Sequence, residues 1–256
     1  MRAIATFILS ALASGTFATG AVAQSTNASD DWTVRGWFEN DLFAGTDQYY
    51  TNGVRLDVVR PANDITALGR GAKNIANWLF NDPPGATWTE TYSVGQEIYT
   101  PKDLTQRIPD PEDRPYAGFL HASLGIVSDD GRDLETLALD LGVVGKWAQA
   151  DDAQRIVHDT ITGDDPLGWR FQLRNEPAVR LTYERRPAYN TLFDISALGL
   201  KVDYGYGYAL ALGNVDTSAS VGGTVRIGKA PITDLQIYIS PLQLAIVSSL
   251  CATPQA

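Results

Sequence analysis

The chain has 256 residues, with 30 acidic against 20 basic side chains, a net charge of −10 and 44% apolar residues. That balance excludes a broad basic face for nucleic acid and argues against a disordered chain. The single cysteine, Cys251, excludes an internal disulfide and any cysteine-rich metal site.

The first element reads as an export signal. Met1-Arg2 supplies a short positive start, residues 3–18 are small or apolar, and Ala21-Val22-Ala23 fits the A-x-A cleavage rule. Residues 1–23 are therefore expected to be a cleaved signal peptide, and residues 24–256 a single domain. No later segment offers the ~18 uninterrupted apolar residues of a membrane helix. An exported chain of this kind is either soluble or a β-barrel.

Period-two alternation dominates the mature chain. A first strand is expected around residues 34–41. Val54, Leu56 and Val58 alternate with Arg55 and Asp57, and Trp88, Tyr92, Val94 and Ile98 with Thr89, Thr91, Ser93 and Glu97. Leu120, Ala122, Leu124 and Ile126 flank His121 and Ser123, and Leu137, Leu139, Leu141 and Val143 flank Asp140. Val179, Leu181 and Tyr183, then Leu198, Leu200, Val202 and Tyr204, then Val221, Val225 and Ile227, continue the pattern. One apolar and one polar face per segment is what a transmembrane barrel strand needs, although a soluble sandwich also alternates. Arg55, Asp57, Glu90, Asp140, Arg180, Glu184, Lys201, Asp203 and Arg226 form the polar set, suited to a wet lumen or to a soluble surface.

Two interruptions have helical spacing. In residues 64–80, Ile65, Leu68, Ile75 and Leu79 recur near period 3.6, and Asn81-Asp82-Pro83-Pro84 ends the run. In residues 146–161, Gln154 and His158 are i,i+4 neighbours and share a face. Residues 101–115 form a proline- and charge-rich loop.

Several motifs stand in a fixed order. They are Glu39-Asn40-Asp41-Leu42-Phe43, Thr46-Asp47-Gln48-Tyr49-Tyr50-Thr51-Asn52-Gly53, Gly95-Gln96-Glu97-Ile98-Tyr99-Thr100-Pro101 and Arg114-Pro115-Tyr116-Ala117-Gly118. Gln154 with His158 comes next, and then Gly168-Trp169, Gln172-Leu173 and Asn175-Glu176-Pro177. Taken singly they are ordinary: Asn40-Asp41 is a strand-end turn pair, Thr51-Asn52-Gly53 a turn or bulge, and His158 a helix-surface histidine. In this order and spacing, over about residues 37–228, they resemble the lipid A 3'-O-deacylase family of Gram-negative outer membranes.

The resemblance implies an all-β fold, an antiparallel transmembrane β-barrel of about twelve strands with short helices in its loops. It implies a site on the barrel wall near the outer leaflet, where an ester-linked acyl chain is removed from lipid A with a calcium ion and a histidine base. The family's Asn-Asp pair falls on Asn40 and Asp41, its helix-borne histidine on His158 with Gln154 one turn earlier, and the small polar residue of its Y-T-S/N-G motif on Asn52. Lipid A in lipopolysaccharide is the implied substrate, with the outer membrane as location, no nucleic-acid partner and a monomer as the expected state.

The chemistry agrees with these residue types. Ester hydrolysis needs a base poised near neutral pH, which is histidine, and positive charge or donors at the oxyanion. A hard cation on oxygen ligands can supply that charge, with Asp41 as the candidate ligand. Asn40 can offer a carbonyl to the metal or an amide donor to the oxyanion. His121, within a strand pattern, reads as a structural polar residue. No G-x-S-x-G exists for a serine hydrolase, and no P-loop or G-x-G-x-x-G sits in a strand–helix context.

The C-terminus departs from the family. About ten strands are countable, and after Gly228 the sequence Lys229-Ala230-Pro231 leads into an apolar tail ending at Ala256 rather than at an aromatic residue. The closing strands are therefore expected to be missing, with activity dependent on closure. A non-enzymatic, porin-like or structural outer-membrane barrel and a soluble periplasmic β-protein are the alternatives.

Overall fold

The computed structural model describes residues 32–40, 52–61, 63–80, 85–161, 166–187, 189–195, 197, 199–229 and 236–239. The signal segment 1–23, Asp41, residues 46–51 and the tail from 240 lie outside them, and positions 40, 52 and 158 are placed by their backbone. Ten strands are described: β1 (Thr33–Asn40), β2 (Asn52–Arg60), β3 (Thr87–Tyr99), β4 (Ala117–Asp129), β5 (Asp133–Val144), β6 (Glu176–Pro187), β7 (Asn190–Ile195), β8 (Leu200–Gly213), β9 (Ser218–Lys229) and β10 (Gln236–Ile239). They form one sheet in the order β1-β2-β3-β4-β5-β6-β8-β9-β10, with β7 also paired to β8. Strand β8 pairs its residues 208–213 with β6 and residues 200–204 with β7. Among the described residues the path ends at β1 and β10 without joining them.

The period-two pattern becomes two chemically distinct faces. Along β1 and β2 the register runs from Thr33↔Val59 to Asn40↔Asn52. Val34, Val54 and Leu56, on one parity, are each more than half exposed, whereas Asp57, on the other, is buried. Strand β8 repeats this with exposed Tyr204, Tyr206, Leu210 and Leu212. Rows of bare apolar side chains are costly in water and are what a lipid-facing strand carries. The opposite face holds a polar network. Trp37 Nε1 donates to Asp57 at 2.7 Å, and Arg55 Nε pairs with the same carboxylate at 2.9 Å. Ser123 donates to Asp140 at 2.5 Å, and His121 Nδ1 lies 3.0 Å from the Ser123 hydroxyl. Burying these charges is tolerable because each has partners.

Glu90 is a correction to the polar set. It has the parity of Trp88, not the opposite one, and it is fully buried. Its carboxylate accepts from Thr66 N at 2.8 Å and Thr66 Oγ1 at 2.6 Å. Thr66 in turn accepts from Gly69 N at 3.0 Å, the bond of an N-cap, so Glu90 anchors the start of helix α1 (Ala67–Phe80). Strand parity alone cannot foresee a helix arriving over that position.

The described residues fall into two compact units. One comprises the residues up to Arg60 with Thr91–Leu124 and Asp140–Val179; the other comprises Pro61–Glu90, Gly125–Leu139 and the residues from Arg180 on. The first has a core of Ile98, Tyr116, Ala150 and Trp169, and the second a core of Ala76, Phe80, Trp88, Ile126 and Leu137. The stretch 146–161 does not form one helix. A 3-10 turn at Lys146–Ala148 is separated by Gln149, at φ 55°, from helix α2 (Ala150–Ile161). A non-glycine residue in the left-handed region resets the chain direction between the two. Among the described residues no helix is long and apolar enough to cross a membrane.

Candidate active site

All the described motif residues belong to the first unit. Asn40 and Asn52 close the β1–β2 ladder as Cα partners. Their positions have the parity of the exposed Val34, Val54 and Leu56. Phe38↔Val54 and Glu39↔Gly53 precede them in the ladder, which is continuous up to that point.

The remaining motifs assemble into a platform for α2. Gly118 has a flat surface against which Ala148 and Ala150 rest; a Cβ there would lie 2.4 Å from Ala150 Cβ. Gly145 N donates to Gly118 O at 3.0 Å, and Gln96 Nε2 donates to Ala148 O at 2.6 Å. Trp147 N donates to Asn175 Oδ1 at 2.8 Å, and Leu173 N to Tyr116 O at 2.9 Å. Tyr116 and Trp169 pack ring to ring at 4.9 Å. Gly95 faces the other side of the sheet, where a Cβ would lie 2.7 Å from His121 Nε2. Gln96, Tyr116, Gly118, Gly168-Trp169, Leu173 and Asn175 serve one purpose. They hold the first turn of α2 on β3 and β4.

Gln154 is part of that platform. It is fully buried and its Oε1 accepts from Trp169 Nε1 at 2.7 Å. Position 158 follows one turn later on α2. Asp151 and Asp152 occupy the helix's first turn, where negative charge complements the N-terminal dipole. The neighbouring loop is organised by Asp103, which accepts from Thr105 Oγ1 at 2.7 Å, Gln106 Nε2 at 3.0 Å and Thr105 N at 2.9 Å. Those donors favour the charged form and hold the carboxyl below its usual range.

His121 lies elsewhere. It is buried, faces a cavity lined also by Trp37, Arg55 and Glu97, and has its Nε2 3.5 Å from Glu97 Oε1 and Nδ1 3.9 Å from Asp140 Oδ1. Sequence reasoning gives no hint of this His121–Ser123–Asp140–Glu97 cluster beyond the shared parity of His121 and Ser123. Among the described residues no three histidine, cysteine, aspartate or glutamate side chains gather to hold a metal, and Asp41 lies outside those residues.

The family model described as outer membrane protein LpxR matches residues 6–243. Among solved structures, LpxR from Salmonella typhimurium matches with a TM-score of 0.52 and 21% identity, over 71% of this chain and 53% of that one. The match therefore spans about half the length of that protein. The fold is all-β, an antiparallel sheet of the outer-membrane barrel class. No curated protein matches the chain.

Proposed function

The chain belongs to the LpxR family of outer membrane proteins, and we propose that it is a hydrolase that removes an ester-linked acyl chain from lipid A at the outer wall of its barrel. The observation that carries this reading is the register pair Asn40↔Asn52, two amide-bearing positions on the parity of the exposed Val34, Val54 and Leu56. A lipid substrate reaches such a place sideways from its own leaflet, without leaving the membrane.

In the proposed reaction His158 is the base. It takes a proton from a water molecule whose oxygen attacks the ester carbonyl, and an amide donor at Asn40 or Asn52 stabilises the oxyanion. The tetrahedral species then releases the sugar oxygen, which recovers the proton from the imidazolium. The products are a free fatty acid and a hydroxyl on the sugar. Gln154 acts by positioning: its buried bond to Trp169 fixes the rotation of α2 and with it position 158.

We propose calcium as the cofactor, with the Asp41 carboxylate as ligand and the amide oxygens of Asn40 and Asn52 as further candidates. The donor set is all oxygen, the kind that calcium takes. When bound, the ion supplies positive charge to the carbonyl oxygen as it becomes an oxyanion. Mass spectrometry of lipid A from cells expressing the chain tests the whole reading. Loss of the mass of one ester-linked acyl group is the expected result, and unaltered lipid A from cells holding the folded protein supports a non-enzymatic barrel instead.

A further inference from the structure

Helix α1 belongs to neither the platform nor the polar network. Gly69, Ala76 and Phe80 are its buried positions, and Phe80 stacks 6.1 Å from Trp88. Gly69 leaves room for the Glu90 carboxylate, which a Cβ would meet at 2.4 Å. These contacts, with Ile126 and Leu137, seat the helix on the face of the sheet that carries the exposed Leu139 and Leu181, since Leu137 shares the parity of Leu139 on β5 and Tyr183, which packs against the cluster, that of Leu181 on β6. The helix therefore lies on the lipid-facing side.

Its two flanks differ. At about 100° per residue, Leu68, Ile75 and Leu79 form one flank beside the buried stripe, and Arg70, Asn74 and Asn77 form the other. Leu68, Ile75 and Leu79 are 61%, 60% and 50% exposed, and Trp78, farthest from the sheet, is 80% exposed. Within a chain of net charge −10, the helix carries Arg70 and Lys73 and no acidic residue. It also sits at a definite end of the strands. It joins β2 to β3, at the end where β4 meets β5 through residues 130–132 alone; at the other end three connections, 41–51, 100–116 and 145–175, are long and one, 214–217, is short. Barrels of the outer membrane turn their short connections to the periplasm.

We propose that α1 is an interfacial helix, lying in the periplasmic, phospholipid leaflet of the outer membrane. It inserts the Leu68–Ile75–Leu79 flank and Trp78 among acyl chains and keeps Arg70, Asn74 and Asn77 at the level of anionic headgroups. The apolar flank continues the lipid-facing rows of the sheet, and Arg70, whose Nη1 also donates to Ile65 O at 2.8 Å, matches headgroup phosphates where the rest of the chain would repel them, while Lys73 is held over the Trp88 ring at 5.1 Å. The inference rests on membership of an outer-membrane family and not on the deacylase reading, so either can fail alone.

The test places nitroxide labels on the full chain, with Cys251→Ser, at Ile75→Cys, Leu79→Cys, Asn74→Cys and Asn77→Cys. The protein is folded into vesicles of phosphatidylethanolamine and phosphatidylglycerol, and only species that migrate as heat-modifiable barrels are read. Labels at 75 and 79 should collide severalfold more with oxygen than with a water-soluble nickel complex, and labels at 74 and 77 the reverse. Equal nickel access at all four positions, or shielding of 75 and 79 from both reagents, overturns the assignment. In vesicles of phosphatidylcholine alone the oxygen preference should fall severalfold; an unchanged value overturns the role of anionic headgroups.

Discussion

Trp169 donates its indole N–H to Gln154 Oε1 across 2.7 Å, and Gln154 meets no solvent. A buried amide oxygen that loses its donor costs ~1–3 kcal/mol. Trp169→Phe keeps an aromatic ring against Tyr116 and removes the donor together with part of the buried indole. It should lower stability in urea by at least that amount and reduce turnover, with little change in the apparent KM. Trp169→Ala, which also empties part of the core, should cost ~3–5 kcal/mol. A double-mutant cycle of Trp169→Phe with Gln154→Leu should be non-additive, since both remove the same bond. Full turnover in the destabilised Trp169→Phe protein would show that Gln154 does not position α2.

The two histidines should separate cleanly. His158→Ala is expected to abolish deacylation while the barrel still shows its heat-modifiable gel shift. His121→Ala removes a member of the buried network with Ser123 and should cost ~1–3 kcal/mol of stability yet leave most activity in the folded fraction. A histidine base works neutral, so activity should be lost as the medium is acidified and the imidazole takes up a proton. Activity that is flat down to pH 5, or that survives in His158→Ala, removes His158 from the reaction.

How far these residues could be read from the sequence depends on whether the information is local. The alternations at Val54–Leu56–Val58 and Leu120–Ala122–Leu124 gave β2 and β4 directly, because period two is a property of the strand itself. Strand β7 was not legible: its register slips between Thr191 and Phe193, so the exposed Leu192 and Phe193 break the alternation that would reveal it. The i,i+4 spacing puts Gln154 and His158 on one face of α2, but not the arrival of Trp169 from a later segment. In the same way, Asn40 and Asn52 are individually turn residues. Only the β1–β2 register, a contact between distant positions, makes them a pair.

Gly118 tests whether the seat of α2 matters to chemistry. Its missing Cβ leaves the space that Ala148 and Ala150 occupy, at 3.0 and 2.4 Å from where that atom would be. Contacts that short cannot be relieved by a rotamer, because both neighbours are methyl groups on backbone that is itself hydrogen-bonded. Gly118→Val should therefore lift the start of α2 at a cost of ~1–3 kcal/mol, and turnover should fall more steeply than with a core change in the second unit chosen to cost the same stability. Equal activity losses at matched stability would mean that α2 has no special part in the site.

Calcium dependence is expected from the chemistry of three positions. Asn40 and Asn52 are partners at the end of their ladder, Asp41 is the next residue in the chain, and together they offer one carboxylate and two amide oxygens. A set with a single negative charge binds a hard cation weakly unless water and substrate oxygens complete the shell, so chelation should be reversible and fast. Calcium tolerates an irregular shell of 6–8 oxygens, whereas magnesium demands a near-ideal octahedron and gives up its water reluctantly. Activity should therefore vanish in EDTA, return with calcium and return poorly with magnesium. Asp41→Ala removes the only formal charge of the set and should eliminate both activity and the calcium response, whereas Asn52→Ala should raise the calcium concentration needed for half-activity without moving the melting temperature. Asn52→Asp adds a charge and should lower that concentration. Titrating activity against free calcium for the three variants reads all of this in one assay. Undiminished turnover in excess chelator, in protein whose lipid A product has been verified by mass, would exclude an essential calcium ion and leave oxyanion stabilisation to the two amides alone.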